Sequence, residues 1–536
     1  MKNFILKILL PIISGILLTI SFPKFGFSTI IYVSLIPLFL SLSKIKFKET
    51  ILASFLSGLT FFIFSLIWLV NVIQYTENKL EDFGILFGYL FLSSYCALFF
   101  IPFGVIAKWC FDKWLGFSLL KNIQIMISLT FLWVSLEFLR GQLFTGFPWN
   151  FLGISQYLNP SIIQIASFGG VSIVSAIIVW MNLGVFITLK QYLLGINKKK
   201  YRPHYEFMIG IIPIALSISF GIQSIFSSNS NDHKKFSIAL IQPNINQKEI
   251  NSLKTNKINN KLLSESIYLK MSEQVDRVLT NPNIDLLVLP ETSLDYFNSD
   301  FYKRKLIDKV VKKTTLLAGS SYFEINNKDQ IKFYNSSILY NDISQNKIST
   351  KYFKQHLVPF GEYLPFINSL KKLVPLENTN FSSGKKSTIF RVKDLPSFSV
   401  LICFEDVFSE LAKNAVANNA KWIINQTNDG WFDPSSQSEQ HLSHAVFRCV
   451  ENNIPMVRAC NTGVSCIIDK KGRIVQRLDP LKEGFIISSI GIDNNSNKTF
   501  YASNGDIFAK LSLIVSFLFL SLFLLDVKNK KIKLDF

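Results

Sequence analysis

Three polar side chains stand where nucleophilic catalysis would need them. The apolar run IDLLVLPE ends in Glu291, and the run LICFE places Cys403 after a similar apolar stretch. Between them, TKYFKQHLVPFGEYLPF supplies Lys354 and, eight residues later, Glu362. A cysteine nucleophile needs a base, and a tetrahedral intermediate needs a cation or hydrogen-bond donor for its oxygen. Glu291, Lys354 and Cys403 meet these needs if the fold brings them together.

Each of these residues, taken alone, also has a plainer interpretation. Free cysteine is among the most buried residue types, so a packed thiol is the commoner role for a residue such as Cys403. Glu291 alone would be expected to form an ion pair at the end of a strand, and Lys354 alone would be a solvated lysine. Three further cysteines follow in the same region and are interpreted as buried thiols, with pairing left open: Cys449, Cys460 and Cys466.

Short β-branched runs bounded by turn residues predict the strands that would position these groups. The strands are KFSIALIQPN, IDLLVLPE, TLLAGSSYF, FSVLICFE and KWIINQTN. Helical patterns lie between several of them: KLLSESIYLKMSEQVDRVL, FYKRKLIDKVVKK, SELAKNAVANNA and QHLSHAVFRCVENN. The alternation predicts an α/β domain with largely parallel sheets, whose chemistry gathers at the carboxyl ends of strands.

Eight apolar runs surround this region, and most approach the ~20 residues that a helix needs to cross a bilayer. They predict about eight transmembrane helices. The expected order is a seven-helix membrane domain at 1–226, a polar insert at 234–503, an eighth helix at 508–527 and a basic tail at 528–536. The apolar runs lie at 3–22, 27–43, 50–73, 83–107, 122–139, 161–189, 206–226 and 508–527.

The formal net charge of +19 raises the question of a nucleic-acid partner. Much of this charge lies in alternate loops between the predicted spans, as the positive-inside rule describes for cytoplasmic loops. Both termini are therefore expected in the cytoplasm, with the insert on the other side, and no nucleic-acid partner is expected. The basic loop residues are Lys44, Lys46, Lys48, Lys108, Lys113, Lys121, Lys190, Lys198, Lys199, Lys200, Arg202, Lys528, Lys530, Lys531 and Lys533.

Two histidines, His441 and His444, are three residues apart on a predicted helix, a spacing that can bind metal. Because carboxylate or cysteine partners at a convincing spacing are missing, a packing or hydrogen-bonding role is favoured. His356, in KQHLVPFGE, is interpreted as a residue that shapes the site.

The predicted membrane domain carries its own polar candidates. Glu137 and Arg140 lie three residues apart near the outer end of a span. Intramembrane ions are functional candidates by default, so these two either pair structurally or help to form a substrate entrance. Trp149, between Pro148 and Asn150, belongs to the same candidate entrance and is interpreted as an interfacial anchor.

The ordered motifs resemble a known family. VLPE, KQHLVPFGE and ICFE are similar to the Glu-Lys-Cys triad motifs of the nitrilase (carbon–nitrogen hydrolase) superfamily. Further resemblance lies in NQTNDGWF and in the pattern QH…R…EN…P..RA.NTG.S..ID..G at 440–472. Such a domain between a seventh and an eighth span, together with LEFLRG…GFPWN at 136–150, resembles the bacterial apolipoprotein N-acyltransferases. The resemblance implies an αββα sandwich for the insert.

That resemblance implies the last step of lipoprotein maturation in the bacterial inner membrane, with the catalytic domain in the periplasm. An acyl chain would pass from a phospholipid, typically from sn-1, to a cysteine thioester, and then to the α-amino group of a diacylglyceryl apolipoprotein. Glu291 would be the base, Lys354 the oxyanion partner and Cys403 the nucleophile. Glu362, Glu405 and Phe404 occupy supporting positions. This chemistry requires neither a metal nor an organic cofactor, and a monomer in the lipid bilayer is expected.

Some residues depart from the family pattern. Phe404 stands where the family often has Tyr, and NINQKEINSL lacks the Pro and Trp that often follow the first strand. The segment at 360–384 mixes apolar residues with Lys and small polar residues, which is typical of either an interfacial flap or a surface helix–loop.

Two other function classes remain open at this level. A membrane-tethered amidase would share the triad and pass its acyl group to water, but one membrane anchor would serve it. A transporter or scaffold with an inactive domain predicts a broken triad, whereas Glu291, Lys354 and Cys403 are all present.

Overall fold

A computed structural model of the chain describes residues 2–116, 118–194, 205–227, 234–255, 260–297, 299–325, 331–341, 348–363, 381–492 and 497–529. The chain divides into two compact units. The helical unit comprises Met1–Leu69, Leu86–Ser228 and Asn504–Phe536. The α/β unit comprises Val70–Ile85 and Asn229–Ser503, so the end of helix Ile67–Tyr75 and the start of helix Lys79–Trp114 belong to it.

Long apolar helices build the helical unit. Among the described residues, five helices are long and apolar enough to cross a membrane, or six if Glu49–Ser65 and Ile67–Tyr75, bent by 43°, form one span. The first two predicted spans correspond to shorter apolar helices, Ile5–Ile20 and Ser28–Leu42. The membrane character is confirmed, and the number eight stays a prediction. The five long helices are Lys79–Trp114, Leu119–Gln142, Val171–Tyr192, Tyr205–Phe226 and Ile507–Lys528.

Two sheets form the α/β unit. One sheet has six strands in the order β11-β1-β2-β3-β4-β5, and the other has five in the order β10-β9-β8-β7-β6. The strands are β1 Lys234–Gln242, β2 Leu286–Val288, β3 Thr315–Ile325, β4 Ile331–Tyr340, β5 Ile348–Phe353, β6 Phe398–Ile402, β7 Trp422–Thr427, β8 Met456–Cys460, β9 Ser465–Ile468, β10 Ile474–Leu478 and β11 Gly484–Ile492.

The expectation of largely parallel sheets is wrong. Parallel pairing joins β1, β2 and β3 in one sheet and β6, β7 and β8 in the other. The remaining neighbours pair antiparallel, namely β11 with β1, β3 with β4, β4 with β5, β8 with β9 and β9 with β10. A short connection, such as the one from β3 to β4, joins antiparallel strands in a hairpin, whereas parallel strands need a longer crossover. The apolar runs alone did not reveal the direction of pairing.

The alternation of side chains along the strands builds two cores. In β1, Phe236, Ile238 and Leu240 face a core shared with Val400 and Ile424 of the other sheet. The alternate residues Ala239 and Ile241 face a second core lined by helices. Each fully buried aliphatic or aromatic side chain contributes about 1.5–3 kcal/mol, so the two cores hold the sheets and helices in layers.

Helices cover the outer faces of the two sheets. Residues of Asn260–Val278 and Asp300–Val311 line the core on the β1 side. Helix Ser409–Ala417 contacts β6 and β7 and packs beside Gln437–Asn452. The expected αββα sandwich is therefore confirmed. Shorter helices in this unit are Gln247–Thr255 and Phe500–Asn504.

Candidate active site

The three predicted catalytic residues each follow a strand. Glu291 comes three residues after β2, Lys354 comes directly after β5, and Cys403 comes directly after β6. Glu291 is 6% exposed and Lys354 is 1% exposed, while Cys403 is half-buried. At these strand ends the three side chains interact electrostatically: the charges of Glu291 and Lys354 both change the pKa of the Cys403 thiol.

The Glu291 carboxylate is held on both oxygens. Its Oε1 accepts from Asn335 Nδ2 at 2.7 Å and lies 3.4 Å from Lys354 Nζ. Its Oε2 accepts from the backbone N–H of Asn428 at 2.9 Å. Burial raises the pKa of Glu291 above its ordinary value; Lys354 opposes this, and the charge of Glu362 adds to it. A raised pKa makes the carboxylate a stronger base toward a thiol or an amine.

Lys354 is placed between two carboxylates. Its Nζ lies 2.8 Å from Glu362 Oε1, and Asn335 Nδ2 also donates to that oxygen at 3.0 Å. The second oxygen of Glu362 accepts from the backbone N–H of Val358 at 2.8 Å. Burial lowers the pKa of Lys354, but Glu362 and Glu291 together raise it above its ordinary value. The side chain therefore stays a cation, as an oxyanion partner must.

Cys403 occupies a strained backbone position. The five residues of β6 are all buried, and the chain then turns in a 3-10 helix over Cys403–Val407. Cys403 has φ +53°, in the left-handed region that residues other than glycine rarely adopt. Burial raises the pKa of its thiol well above the ordinary value, with Glu291 adding to the shift and Lys354 opposing it. The resting sulfur is a thiol, so it needs its base at the moment of attack.

A close backbone approach sets the position of Glu291. Thr292, the next residue, has φ +49°. A Cβ added to Gly319 of β3 would lie 2.4 Å from Thr292 N and 2.5 Å from Pro290 O. The strand beneath the Glu291 turn therefore requires glycine at this point.

Glu405 supports the nucleophile turn from inside the core. One of its oxygens accepts from the backbone N–H groups of Gln355 at 2.6 Å and His356 at 3.1 Å. The other accepts from the backbone N–H of Ile402 at 2.7 Å, and Tyr352 Oη lies 2.9 Å from both oxygens. Burial raises the pKa of Glu405 to about 7, against the effect of these donors. Glu405 thus ties the chain before Cys403 to the chain after Lys354.

Aromatic packing surrounds the residue that departs from the family pattern. The Phe404 ring packs edge-on against the Phe408 ring, with 5.1 Å between the ring centroids. The centroid of the His356 ring lies 3.7 Å from that of Phe408 and 6.2 Å from that of Phe404. His356 therefore shapes this side of the site through its ring and its backbone N–H.

Several site residues were not predicted from the sequence. Asn335 bridges Glu291 and Glu362 with one amide nitrogen, and its only signal was a polar residue inside the apolar strand FYNSSILY. Asn428 acts through its backbone, which no side-chain pattern reveals. Asp406, to which the sequence assigned no role, is fully buried and forms an ion pair with Arg458.

His441, His444 and the three cysteines that follow them are buried in the α/β unit. His441 hydrogen-bonds Asp406 and Asp429 at 2.8 and 3.0 Å, as the hydrogen-bonding interpretation expected. Across the described part of the chain, no three His, Cys, Asp or Glu side chains are grouped as metal ligands would be. All six cysteines are free thiols, and Cys449, Cys460 and Cys466 are buried.

The membrane candidates hold a loop of the helical unit. Arg140 Nη1 donates to the carbonyls of Phe147 and Trp149 at 2.9 and 2.8 Å. Glu137 Oε1 accepts from the backbone N–H of Leu152 at 2.8 Å. Trp149 is 1% exposed and packs on Trp68, so its assignment as an interfacial anchor is wrong. Their place in a substrate entrance stays a prediction.

Two family models together match most of the chain. The apolipoprotein N-acyltransferase N-terminal domain matches residues 14–184, and carbon-nitrogen hydrolase matches residues 237–495. Among solved structures, Saccharomyces cerevisiae Nit3, of the nitrilase superfamily, covers 49% of this chain and 93% of its own at 22% identity and TM-score 0.34, a likeness too low to support an argument.

Curated relatives match along nearly the whole length. An apolipoprotein N-acyltransferase of Geobacter metallireducens is 30% identical over 94% of this chain and 92% of its own. Apolipoprotein N-acyltransferase 1 of Treponema denticola is 28% identical over 99% and 100%, and the Pasteurella multocida enzyme is 28% identical over 89% and 88%. At this identity and coverage, the chain belongs to the apolipoprotein N-acyltransferase family, a family of membrane acyltransferases.

Proposed function

We propose that this protein moves an acyl chain from a phospholipid to the α-amino group of an N-terminal diacylglyceryl-cysteine, through a thioester on Cys403. The observation that carries the proposal is the buried Glu291–Lys354 pair, whose charges act on the Cys403 thiol. The names of the relatives add the acceptor, an apolipoprotein, and the type of bond, an N-acyl bond.

In the first half-reaction, Glu291 accepts the Sγ proton as the sulfur attacks the ester carbonyl carbon of the phospholipid. The carbonyl oxygen becomes an oxyanion, which the Lys354 ammonium stabilises. When the intermediate collapses, the carbon–oxygen bond breaks, and the lysophospholipid oxygen takes the proton from Glu291. The products are the Cys403 thioester and a lysophospholipid. Asn335 and Asn428 keep the Glu291 carboxylate in position through this proton transfer.

In the second half-reaction, the α-amino nitrogen attacks the thioester carbonyl carbon. Glu291 takes a proton from the amine, Lys354 again faces the oxyanion, and the carbon–sulfur bond breaks. Cys403 recovers a proton from Glu291, and the acceptor leaves as an amide. Two steps suit this transfer because thioesters are reactive toward amines.

We also infer the orientation in the membrane from charge. Lys44, Lys46 and Lys48 lie in a loop, and Lys108 and Lys113 lie in the last two turns of helix Lys79–Trp114. These basic residues favour a cytoplasmic position, which leaves the α/β unit on the opposite, periplasmic side of the inner membrane. The basic residues at 198–202 and 530–533, and most of the flap candidate at 360–384, lie outside the described residues.

Mass spectrometry of the Cys403 peptide tests the function. The full-length protein is incubated with vesicles of a phospholipid that has defined acyl chains, and then with a diacylglyceryl peptide that has a free α-amino group. We expect a hydroxylamine-sensitive acyl adduct on Cys403, absent in Cys403→Ala and Glu291→Gln and released as an N-acyl peptide. Peptides with the buried Cys449 and Cys466 serve as internal references.

The outcomes separate the candidate functions. An adduct that is discharged only by water supports an amidase-type hydrolase and contradicts the transferase. The absence of both a Cys403 adduct and an N-acyl peptide with the wild-type protein contradicts both functions. An N-acyl peptide formed without a Cys403 adduct would contradict the thioester route alone.

A further inference from the structure

A buried cluster of four charged side chains lies behind the nucleophile turn. The charges come from the turn after β6, the loop after β7, β8 and helix Gln437–Asn452. All four side chains are at most 1% exposed. Arg458 forms an ion pair with one oxygen of Asp406, and Gln437 donates to Asp429 at 3.0 Å. The four residues are Asp406, Asp429, His441 and Arg458.

The contacts of the cluster require a doubly protonated His441 ring. Nδ1 lies 3.0 Å from Asp429 Oδ1, and Nε2 lies 2.8 Å from Asp406 Oδ1. A carboxylate only accepts hydrogen bonds, so both ring nitrogens must donate and the ring is an imidazolium. The cluster then holds two positive and two negative charges, which compensates each charge for its loss of water.

The electrostatic balance at His441 agrees with these contacts. Burial lowers the pKa of His441, Asp406 and Asp429 raise it, and Arg458 opposes them, with the result near 9. Burial raises the pKa of its counterion Asp429, but His441, Arg458 and Gln437 together lower that pKa below its ordinary value. The charged groups that face the ring are therefore Asp406, Asp429 and Arg458, and the Cys403 carbonyl lies beside them.

The imidazolium reaches the backbone of the nucleophile. His441 Nε2 lies 3.2 Å from the Cys403 carbonyl oxygen, and Asn425 Nδ2 donates to the same oxygen at 3.1 Å. Cys403 adopts φ +53°, which persists only where the surroundings hold it. A charged N–H donor is stronger than a neutral one, so it is suited to fixing this peptide group. A fixed peptide group restricts the orientation of the Cα–Cβ bond, which carries the sulfur.

We propose that His441 is a positioning residue, whose imidazolium fixes the Cys403 backbone so that the thiol points at the carbonyl carbon of the acyl donor. The proposal rests on the proposed function for the identity of that donor, but the positioning itself concerns the reactivity of Cys403. When His441 loses a ring proton, one ring nitrogen becomes an acceptor that faces the carboxylate of Asp406 or Asp429. The two lone pairs repel each other, and the nucleophile turn is no longer held. The positioning is present below pH 9 and is lost as the pH rises through that value.

Three measurements on the full-length protein test this role. The first is the rate of Cys403 alkylation by iodoacetamide in detergent, which requires no acyl donor. The second is the rate of acyl-adduct formation on Cys403 from phospholipid vesicles, followed from pH 6 to 10. The third is the thermal unfolding curve, which gives the folded fraction at the assay temperature. All rates are expressed per folded molecule.

The decisive variant is His441→Gln, with His444→Gln as the matched control. The control makes the same change three residues along the same helix, at a side chain that is also 1% exposed. We expect His441→Gln to slow both alkylation and acylation roughly 10–100-fold, since a small misplacement of a reacting group costs this much. The control is expected to stay within about threefold of the wild type. Equal rates per folded molecule in His441→Gln and the wild type would overturn the proposal.

Asp429→Asn keeps an oxygen acceptor for the ring but removes one negative charge, so it tests the role even if His441→Gln does not fold. Acylation by the wild type is expected to fall above about pH 9, and the variant is expected to show this fall at lower pH. If the acylation rate falls at the same pH in Asp429→Asn as in the wild type, the proposal is contradicted. If His441→Gln slows alkylation but no protein forms an acyl adduct, the positioning role stands and the proposed function fails.

Discussion

The ammonium of the buried Lys354 and the carboxylate of the half-buried Glu362 form an ion pair of 2.8 Å. Glu291 lies farther from the same nitrogen, at 3.4 Å. Because Glu362 is the nearer counterion, it compensates much of the Lys354 charge, and its own charge raises the pKa of Glu291. Glu362 therefore helps to keep Glu291 basic while Lys354 remains a cation.

Glu362→Gln tests this division of roles. Removing the negative charge is expected to lower the pKa of Glu291, because Glu362 contributes to raising it. The base must be deprotonated to act, so the acidic limb of the pH–rate profile for Cys403 acylation should move to lower pH. The plateau should fall roughly 10–100-fold, because Lys354 loses its nearest charged partner. Adduct formation at a series of pH values measures both effects.

The matched control for that variant is Glu410→Gln, an exposed residue in the first turn of helix Ser409–Ala417. It should leave both the plateau and the acidic limb unchanged. An acidic limb that moves to higher pH in Glu362→Gln would contradict the assigned charge effect.

Glu405→Gln is expected to destabilise the α/β unit. The substitution places an amide N–H₂ group against backbone N–H donors of Ile402, Gln355 or His356, which leaves a buried donor unpaired and costs about 1–3 kcal/mol. The wild type should also lose stability as the pH rises from about 4.5 to about 7, since the folded protein binds a proton there that the unfolded chain lacks. Denaturant unfolding at several pH values should show this dependence in the wild type and its absence in the variant.

Gly319→Ala is expected to displace the Glu291 turn. The added Cβ would lie 2.4 Å from Thr292 N and 2.5 Å from Pro290 O, and backbone atoms cannot yield as a flexible side chain can. We expect acylation to fall roughly 100-fold, the cost typical of a 1 Å misplacement. Gly88→Ala, where a Cβ meets nothing within 4 Å, is the control. Wild-type acylation in Gly319→Ala would show that the turn tolerates the shift.

Asn71→Ala tests the segment Val70–Ile85, which belongs to the α/β unit. Asn71 Nδ2 donates to the carbonyls of Phe432 and Pro434 at 3.0 and 3.1 Å, in the loop that follows Asn428. Since the Asn428 N–H holds Glu291, a looser loop should slow acylation, by roughly 3–10-fold for about 1 kcal/mol of lost hydrogen bonding. Single-turnover acylation measures this, and Asn418→Ala, on an exposed helix end, should have no effect.

The sequence alone predicted Glu291, Lys354 and Cys403 as one site, because two of them follow apolar runs and all three lie in motifs that resemble a known family. An apolar β-branched run and the turn after it involve neighbouring residues only, so β2 and β6 and the residues that follow them were predictable. The same local signals placed the long apolar helices. Strand direction was not predictable in this way, since pairing depends on distant segments, and the hairpins of β3 with β4 and β8 with β9 were missed.

The tertiary structure decided which side chains support these three. Asn335 and Asn428 reach Glu291 across 44 and 137 positions of the chain, and His441 reaches the Cys403 carbonyl across 38. Such contacts depend on how the strands of two sheets are ordered and paired, which no local pattern contains. Burial is decided in the same way. Trp149 is a residue type typical of interfacial anchors, but packing against Trp68 leaves its side chain buried. Residue type supplies the chemistry, and long-range packing sets the protonation, distance and direction that make it usable.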